Sequence, residues 1–152
     1  MECLESLSLK EELMYENILV AVDHSEATPR VLNAALELAR LSEGEVWVLH
    51  LREREMMGKT GLLMSAESRD DASESVDAAV ETLIQAGVKA HGTVRDTVFG
   101  YAAREIVNDA QEHGAGVIVM GSRGRGDLAG LVLGSTAHKV IHLADRPVLI
   151  VR

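Results

Sequence analysis

Five short apolar runs recur along the chain, at residues 18–22 (ILVAV), 46–49 (VWVL), 88–94 (VKAHGTV), 117–120 (VIVM) and 148–151 (VLIV). The first, fourth and fifth are unbroken rather than alternating, as expected of strands covered on both faces in a parallel sheet. The third is interrupted by Lys89, His91 and Gly92, which predicts an edge strand. Helical spacing fills the gaps. Val31, Ala34, Ala35, Leu38 and Leu41 follow the i, i+3, i+4 rule, with Gly44 just past the end. Val76, Ala79, Val80 and Leu83 do the same up to Gly87, and Phe99, Ala102, Ala103, Ile106, Val107 and Ala110 up to Gly114. A short helix is predicted over 135–143, stopped by Pro147. The order βαβαβαβαβ predicts one α/β domain, a parallel sheet with helices on both faces.

Two segments fall outside this alternation. Residues 1–13 precede the first strand, and Ser8 and Glu11 are spaced as a capping box, so the extension reads as a short helix or a frayed end. Residues 52–66, with Gly58, Gly61 and three methionines, form a connection long enough for a lid or a disordered stretch. At 152 residues and 16.4 kDa, a single domain buries roughly 68–70% of its unfolded surface and needs neither disulfides nor a structural metal. One cysteine, Cys3, fits a reducing compartment. The start is acidic and unlike a signal peptide, and the longest aliphatic run is far short of a membrane span, so a cytoplasmic location is expected. A formal charge of −9 argues against nucleic acid or anionic lipid as partners.

The charge is unevenly spread. Residues 1–120 hold 22 acidic and 10 basic side chains, whereas 121–142 hold Arg123, Arg125 and Lys139 against Asp127 alone. This positive stretch leaves the fourth strand as Gly121-Ser122-Arg123-Gly124-Arg125-Gly126 and enters a helix at Gly134-Ser135-Thr136. Glycines let backbone N–H groups approach an anion, and a helix start adds unpaired N–H groups and partial positive charge. Two hydroxyls complete the parts of a phosphate cradle. A solvated turn is the alternative reading. Two better-known phosphate motifs fail. Gly58-Lys59-Thr60 lacks the glycine a P-loop needs five positions earlier, where Glu53 stands. Gly124-x-Gly126-x-x-Ala129 lacks the acidic residue ending a further strand that a dinucleotide site requires.

The spacing Gly121-x2-Gly124-x9-Gly134-Ser135, with Asp23 after the first strand, His50-Leu51 at the second and the ending 147–152, resembles the ATP-binding branch of the universal stress protein family. The resemblance covers 15–152 and leaves 1–14 as an N-terminal extension. It implies a Rossmann-like, five-stranded parallel sheet in the order 3-2-1-4-5 within a three-layer α/β/α domain. It also implies ATP in the cleft, magnesium travelling with the phosphates, and a homodimer. Asp23 is then expected at the adenosine end, where a carboxylate accepts from ribose hydroxyls or an adenine amino group. Leu51 and Met120 are expected to flank the base and Gly121 to lie by the ribose, with Gly124, Gly134, Ser135 and Thr136 around the phosphates. Arg123 and Arg125 point either to the outer phosphates or to water. Asp23 has a competing reading as the turn residue before the first helix, and Leu51 and Met120 as plain core; Ser25 is expected to cap that helix.

Other chemistry is thin. His138 and His142 share a helix face, but no third ligand is evident, so a solvated face is expected and no metal site. No nucleophile–base set is discernible. The expected function is an ATP-binding regulatory or stress-response module, with catalysis not expected beyond weak ATP hydrolysis. A slow ATPase or phosphotransferase and a nucleotide-free dimeric scaffold are the alternatives. Dimerisation is expected through the apolar last strand, Val148, Leu149, Ile150 and Val151, at a sheet edge. A phosphoacceptor role for Asp96, just after the third strand, is disfavoured because no room is left for a final helix.

Overall fold

The computed structural model describes residues 14–124 and 133–152. The Ser8 and Glu11 spacing and Cys3 lie outside the described residues, as do Arg125, Gly126, Asp127 and Ala129. The elements run β1 (Asn17–Val22), α1 (Thr28–Ser42), β2 (Glu45–Met57), a 3-10 turn (Gly58–Thr60), β3 (Leu62–Met64), α2 (Arg69–Gln85), β4 (Ala90–Val98), α3 (Ala102–Glu112), β5 (Val117–Gly121), α4 (Ser135–Leu143) and β6 (Val148–Val151).

The parallel ladders place β4 beside β2, β2 beside β1, β1 beside β5 and β5 beside β6. Val20 stands opposite Val48 on one side and Val119 on the other. Successive residues of each central strand serve opposite cores, because side chains alternate across the sheet. Ile18, Val20, Val46, Val48, Val117 and Val119 pack with Val31, Ala35 and Ala39 of α1 and Val76, Ala79 and Leu83 of α2. Leu19, Leu49, Ile118 and Met120 pack on the other face with Ala103, Ile106, Val107 and Ala110 of α3 and Ala137 and Val140 of α4. The three layers follow directly. No helix among the described residues is long and apolar enough to cross a membrane.

The sheet differs from the five-stranded expectation by a sixth strand. Residues 52–66 are neither a structureless loop nor a simple lid. β2 runs on to Met57, turns over through Gly61 at φ 66°, and pairs antiparallel with β3, Met56 opposite Leu63. Arg54 Nη2 donates to the carbonyl of Leu63 at 3.0 Å, pinning this ribbon. Charge hid the strand: Arg52-Glu53-Arg54-Glu55 carries no apolar period, and its partners are ionic rather than hydrophobic.

Local boundaries moved for identifiable reasons. α2 begins seven residues before the first periodic apolar position, because Ser68 caps it by accepting from the N–H of Asp71 at 3.0 Å and Asp70 and Asp71 favour its first turn. β4 reaches Val98, so Phe99 and Gly100 turn the chain and α3 starts at Ala102. α1 closes through Glu43, which takes the left-handed conformation at φ 52° expected of a glycine. Gly44 answers a different need: a Cβ there would lie 2.3 Å from the carbonyl oxygen of Tyr15. Ser25 does not cap α1; Ala27 occupies the cap position without a side-chain bond.

Candidate functional site

β1 and β5 are neighbours whose following connections diverge. β1 leads through α1 to β2 on one side, and β5 leads through α4 to β6 on the other. A crevice opens where winding reverses in this way, outside the carboxyl ends of the strands. Here it is a cleft of about 510 Å³, within the range of small-molecule sites.

The residues singled out from the sequence meet there. Asp23, Leu51, Met120, Gly121, Arg123, Gly124, Ser135 and Thr136 all line the cleft. Gly134 is buried beside it as the residue preceding α4. It has φ −72° and ψ 164°, and no side chain caps the helix it opens. Its own N–H donates to the carbonyl of Ser122 at 2.6 Å, which ties the end of the glycine segment back to its beginning. The first turn of α4 therefore meets the cleft, and among the described residues no side chain caps it.

Asp23 shapes the opposite wall. Its Oδ1 accepts from the N–H of Ser25 at 2.9 Å, and its backbone carbonyl accepts from the hydroxyl of Thr28 at 2.5 Å, so Asp23 builds the turn into α1 while lining the cleft. Met120 is likewise double-sided, part of the α3–α4 core and of the cleft floor. Leu51 packs against the same core and lines the same cleft. Arg123 is exposed and joins Lys139 as a cation at the site.

Several lining residues escaped the sequence reading. Phe99, 63% exposed, presents a ring at the rim. Its place in a helical period disguised it; β4 runs on to Val98, so Phe99 falls in the turn before α3. Glu53 comes from the charged half of β2; burial pushes its carboxyl up, Glu55 adds to this, and Lys139 opposes it. His24, His50 and Glu67 also line the cleft. Burial alone would raise Glu67, but hydrogen bonds from His50 and His24 outweigh it and hold the carboxyl below the ordinary range. Asp96, considered as a phosphoacceptor, stands inside β4, not after it. It faces Arg52 in the neighbouring strand, which donates to it through Nε at 2.7 Å and Nη2 at 2.9 Å. His138 and His142 are exposed on α4 with their rings 4.6 Å apart, edge to face.

Known proteins share this architecture. The sequence profile of the universal stress protein family matches residues 14–152. Universal stress protein YxiE of Bacillus subtilis is 33% identical, over 91% of this chain and all of its own length. Universal stress protein MJ0577 of Methanocaldococcus jannaschii is 30% identical, over 92% of this chain and 96% of its own. Among solved structures, a universal stress protein from Archaeoglobus fulgidus superposes with a TM-score of 0.72 at 32% identity, covering 91% of this chain and 99% of that one. A structure of the universal stress protein from A. fulgidus in complex with dAMP gives 0.68 at 29%, with the same coverage. On its sequence, its strand order and the cleft at its switch point, the chain belongs to the universal stress protein family.

Proposed function

We propose that this protein is an ATP-binding regulatory module of the cytoplasm that works as a homodimer and signals by its nucleotide state. The observation that carries the reading is the convergence on one cleft of an uncapped helix start, a glycine-rich strand exit and a carboxylate wall. The N–H groups at the start of α4 and its partial positive charge favour an anion at that end. Gly121, Gly124 and Gly134 keep side chains out of its path, and Ser135 and Thr136 add hydroxyl donors. Arg123 supplies a cation for the outer phosphates. At the other wall Asp23 accepts from a ribose or base donor, and Leu51 and Met120 offer apolar surface to the base. The dAMP complex of an A. fulgidus relative supports an adenine nucleotide as the ligand class.

The donor set around Ser135 and Thr136 has hydroxyls but no carboxylate cluster among the described residues. It fits a magnesium ion held mainly by phosphate oxygens and water. When bound, that ion would neutralise phosphate charge, and the chain's part is to place the phosphates.

The test is to denature purified protein and identify the released nucleotide by chromatography, with the double variant Gly124→Val, Gly134→Val alongside. Gly134 lies in extended backbone that valine also adopts, so the change reads bulk in the cradle rather than backbone strain. Co-purified ATP, absent from the variant, is the expected result. Release of ADP would favour hydrolysis. A chain that is empty and fails to bind millimolar ATP with magnesium would overturn the reading in favour of a nucleotide-free scaffold.

A further inference from the structure

His24, His50 and Glu67 have no part in the nucleotide reading, yet their chemistry is specific. Each comes from a different segment: the turn after β1, the middle of β2, and the stretch between β3 and α2. One ligand atom from each converges so that all three lie within 4.8 Å of one another.

The bonds around the buried member fix how it is oriented. His50 is 4% exposed, and its Nδ1 lies 3.0 Å from the carbonyl oxygen of Val22. A carbonyl only accepts, so Nδ1 carries the hydrogen. The other ring nitrogen, Nε2, faces Glu67 Oε2, 2.8 Å away. An ionised carboxylate also only accepts. Either a proton on Nε2 or a metal ion can stand between these two atoms. The other oxygen of Glu67 meets Nε2 of His24. The neighbouring Arg52 does not occupy the Glu67 carboxylate: its guanidinium is engaged by Asp96 and reaches only the backbone carbonyl of Glu67, at 3.5 Å.

We propose that His24, His50 and Glu67 bind a zinc-class divalent ion, with a further coordination position open to the cleft. Two imidazoles and one carboxylate form a donor set that zinc takes with a remaining position for water or another ligand. Calcium and magnesium prefer oxygen alone. The bond from His50 Nδ1 to the Val22 carbonyl is the outer-shell contact that orients a metal-binding imidazole and leaves Nε2 for the ion. Ligand atoms around a tetrahedral ion with bonds of about 2.0–2.1 Å sit about 3.3 Å apart. Glu67 therefore draws back slightly to admit it, as its place in an irregular stretch before α2 allows. The ion would fasten the stretch before α2 to the middle of β2 and to the turn after β1, beside Asp23. The set Asp109, Glu112 and His113 is a weaker competitor, since Arg95 already holds Asp109 and Glu112.

The test uses the full chain, stripped of nucleotide and metal and titrated with Co2+ while visible d–d absorption is recorded. The expected result is one Co2+ per chain with the strong absorption of a tetrahedral site, displaced by Zn2+. His24→Ala and Glu67→Gln are expected to weaken binding at least tenfold with unchanged circular dichroism. His113→Ala and the pair His138→Ala, His142→Ala are expected to leave it intact. Absence of stoichiometric Co2+ or Zn2+ binding at micromolar metal would overturn the proposal, as would binding that survives both ligand variants or is lost only in the controls. A proton on Nε2 would then stand between His50 and Glu67. Because the titration is read without nucleotide, its failure leaves the nucleotide reading untouched, and the converse also holds.

Discussion

Asp23 serves two masters. Its Oδ1 organises the turn into α1 by accepting from the N–H of Ser25, and the residue lines the cleft. Asp23→Asn keeps an acceptor for the turn but loses the charge, whereas Asp23→Ala loses both. In the nucleotide reading, Asn is expected to weaken ATP binding with little change in melting temperature. Ala is expected to weaken binding and also cost about 0.5–1.5 kcal/mol, the net worth of a typical hydrogen bond. Calorimetric titration and thermal melting separate the two.

Asp96 carries a pH signature. Hydrogen bonds from Arg52 hold its carboxyl below the ordinary range, against a smaller opposing effect of burial. A carboxylate lowered in the folded state stabilises above its unfolded pKa of about 3.9. That stabilisation is lost as pH falls through the folded value. The parent chain is therefore expected to exceed Asp96→Asn in stability at neutral pH, with the difference shrinking below about pH 4. Urea midpoints at a series of pH values measure this. A difference independent of pH would show that Asp96 acts through packing alone.

At the scale of elements, helix-to-sheet contact depends on small residues. A Cβ on Gly92 of β4 would come 2.4 Å from Cγ1 of Val76 and 2.9 Å from Cγ2 of Val80, both on α2. Val76 is buried, so it has little room to yield. Gly92→Ala is expected to destabilise by about 1–3 kcal/mol through overpacking. Val76→Ala introduced together with it should recover part of that loss, because it removes the colliding methyl groups. Ser68→Ala removes the cap of α2 and is expected to cost about 0.5–2 kcal/mol. Chemical denaturation reads both.

At the scale of the molecule, the two edges of the parallel sheet are not alike. β4 carries exposed polar residues such as His91. β6 is short and aliphatic, with Leu149 41% exposed. An apolar edge strand invites a partner, which supports the dimer proposed through Val148, Leu149, Ile150 and Val151. Light scattering of the parent is expected to give twice the chain mass, and Leu149→Lys to shift it towards the monomer at equal concentration. A monomeric parent at high concentration would remove the dimer.

The sequence by itself determined the layers, and the family resemblance supplied the strand order that gives the cleft its address. Unbroken β-branched runs alternating with 3.6-residue periods leave few arrangements other than a parallel sheet covered on both faces. Local chemistry also marked Asp23, Gly121, Gly124 and Gly134, because strand exits and helix starts are legible from neighbouring residues. Tertiary structure decided what depends on distant partners. The second half of β2 is a strand because Arg52 meets Asp96 and Arg54 meets the Leu63 carbonyl, bonds that no periodicity announces. Phe99 reached the cleft rim because β4 outran its apolar run. His24, His50 and Glu67 are up to 43 residues apart along the chain. Only the folding of β1, β2 and the approach to α2 onto one another brings their ligand atoms together, since a side-chain cluster is a property of space and not of spacing.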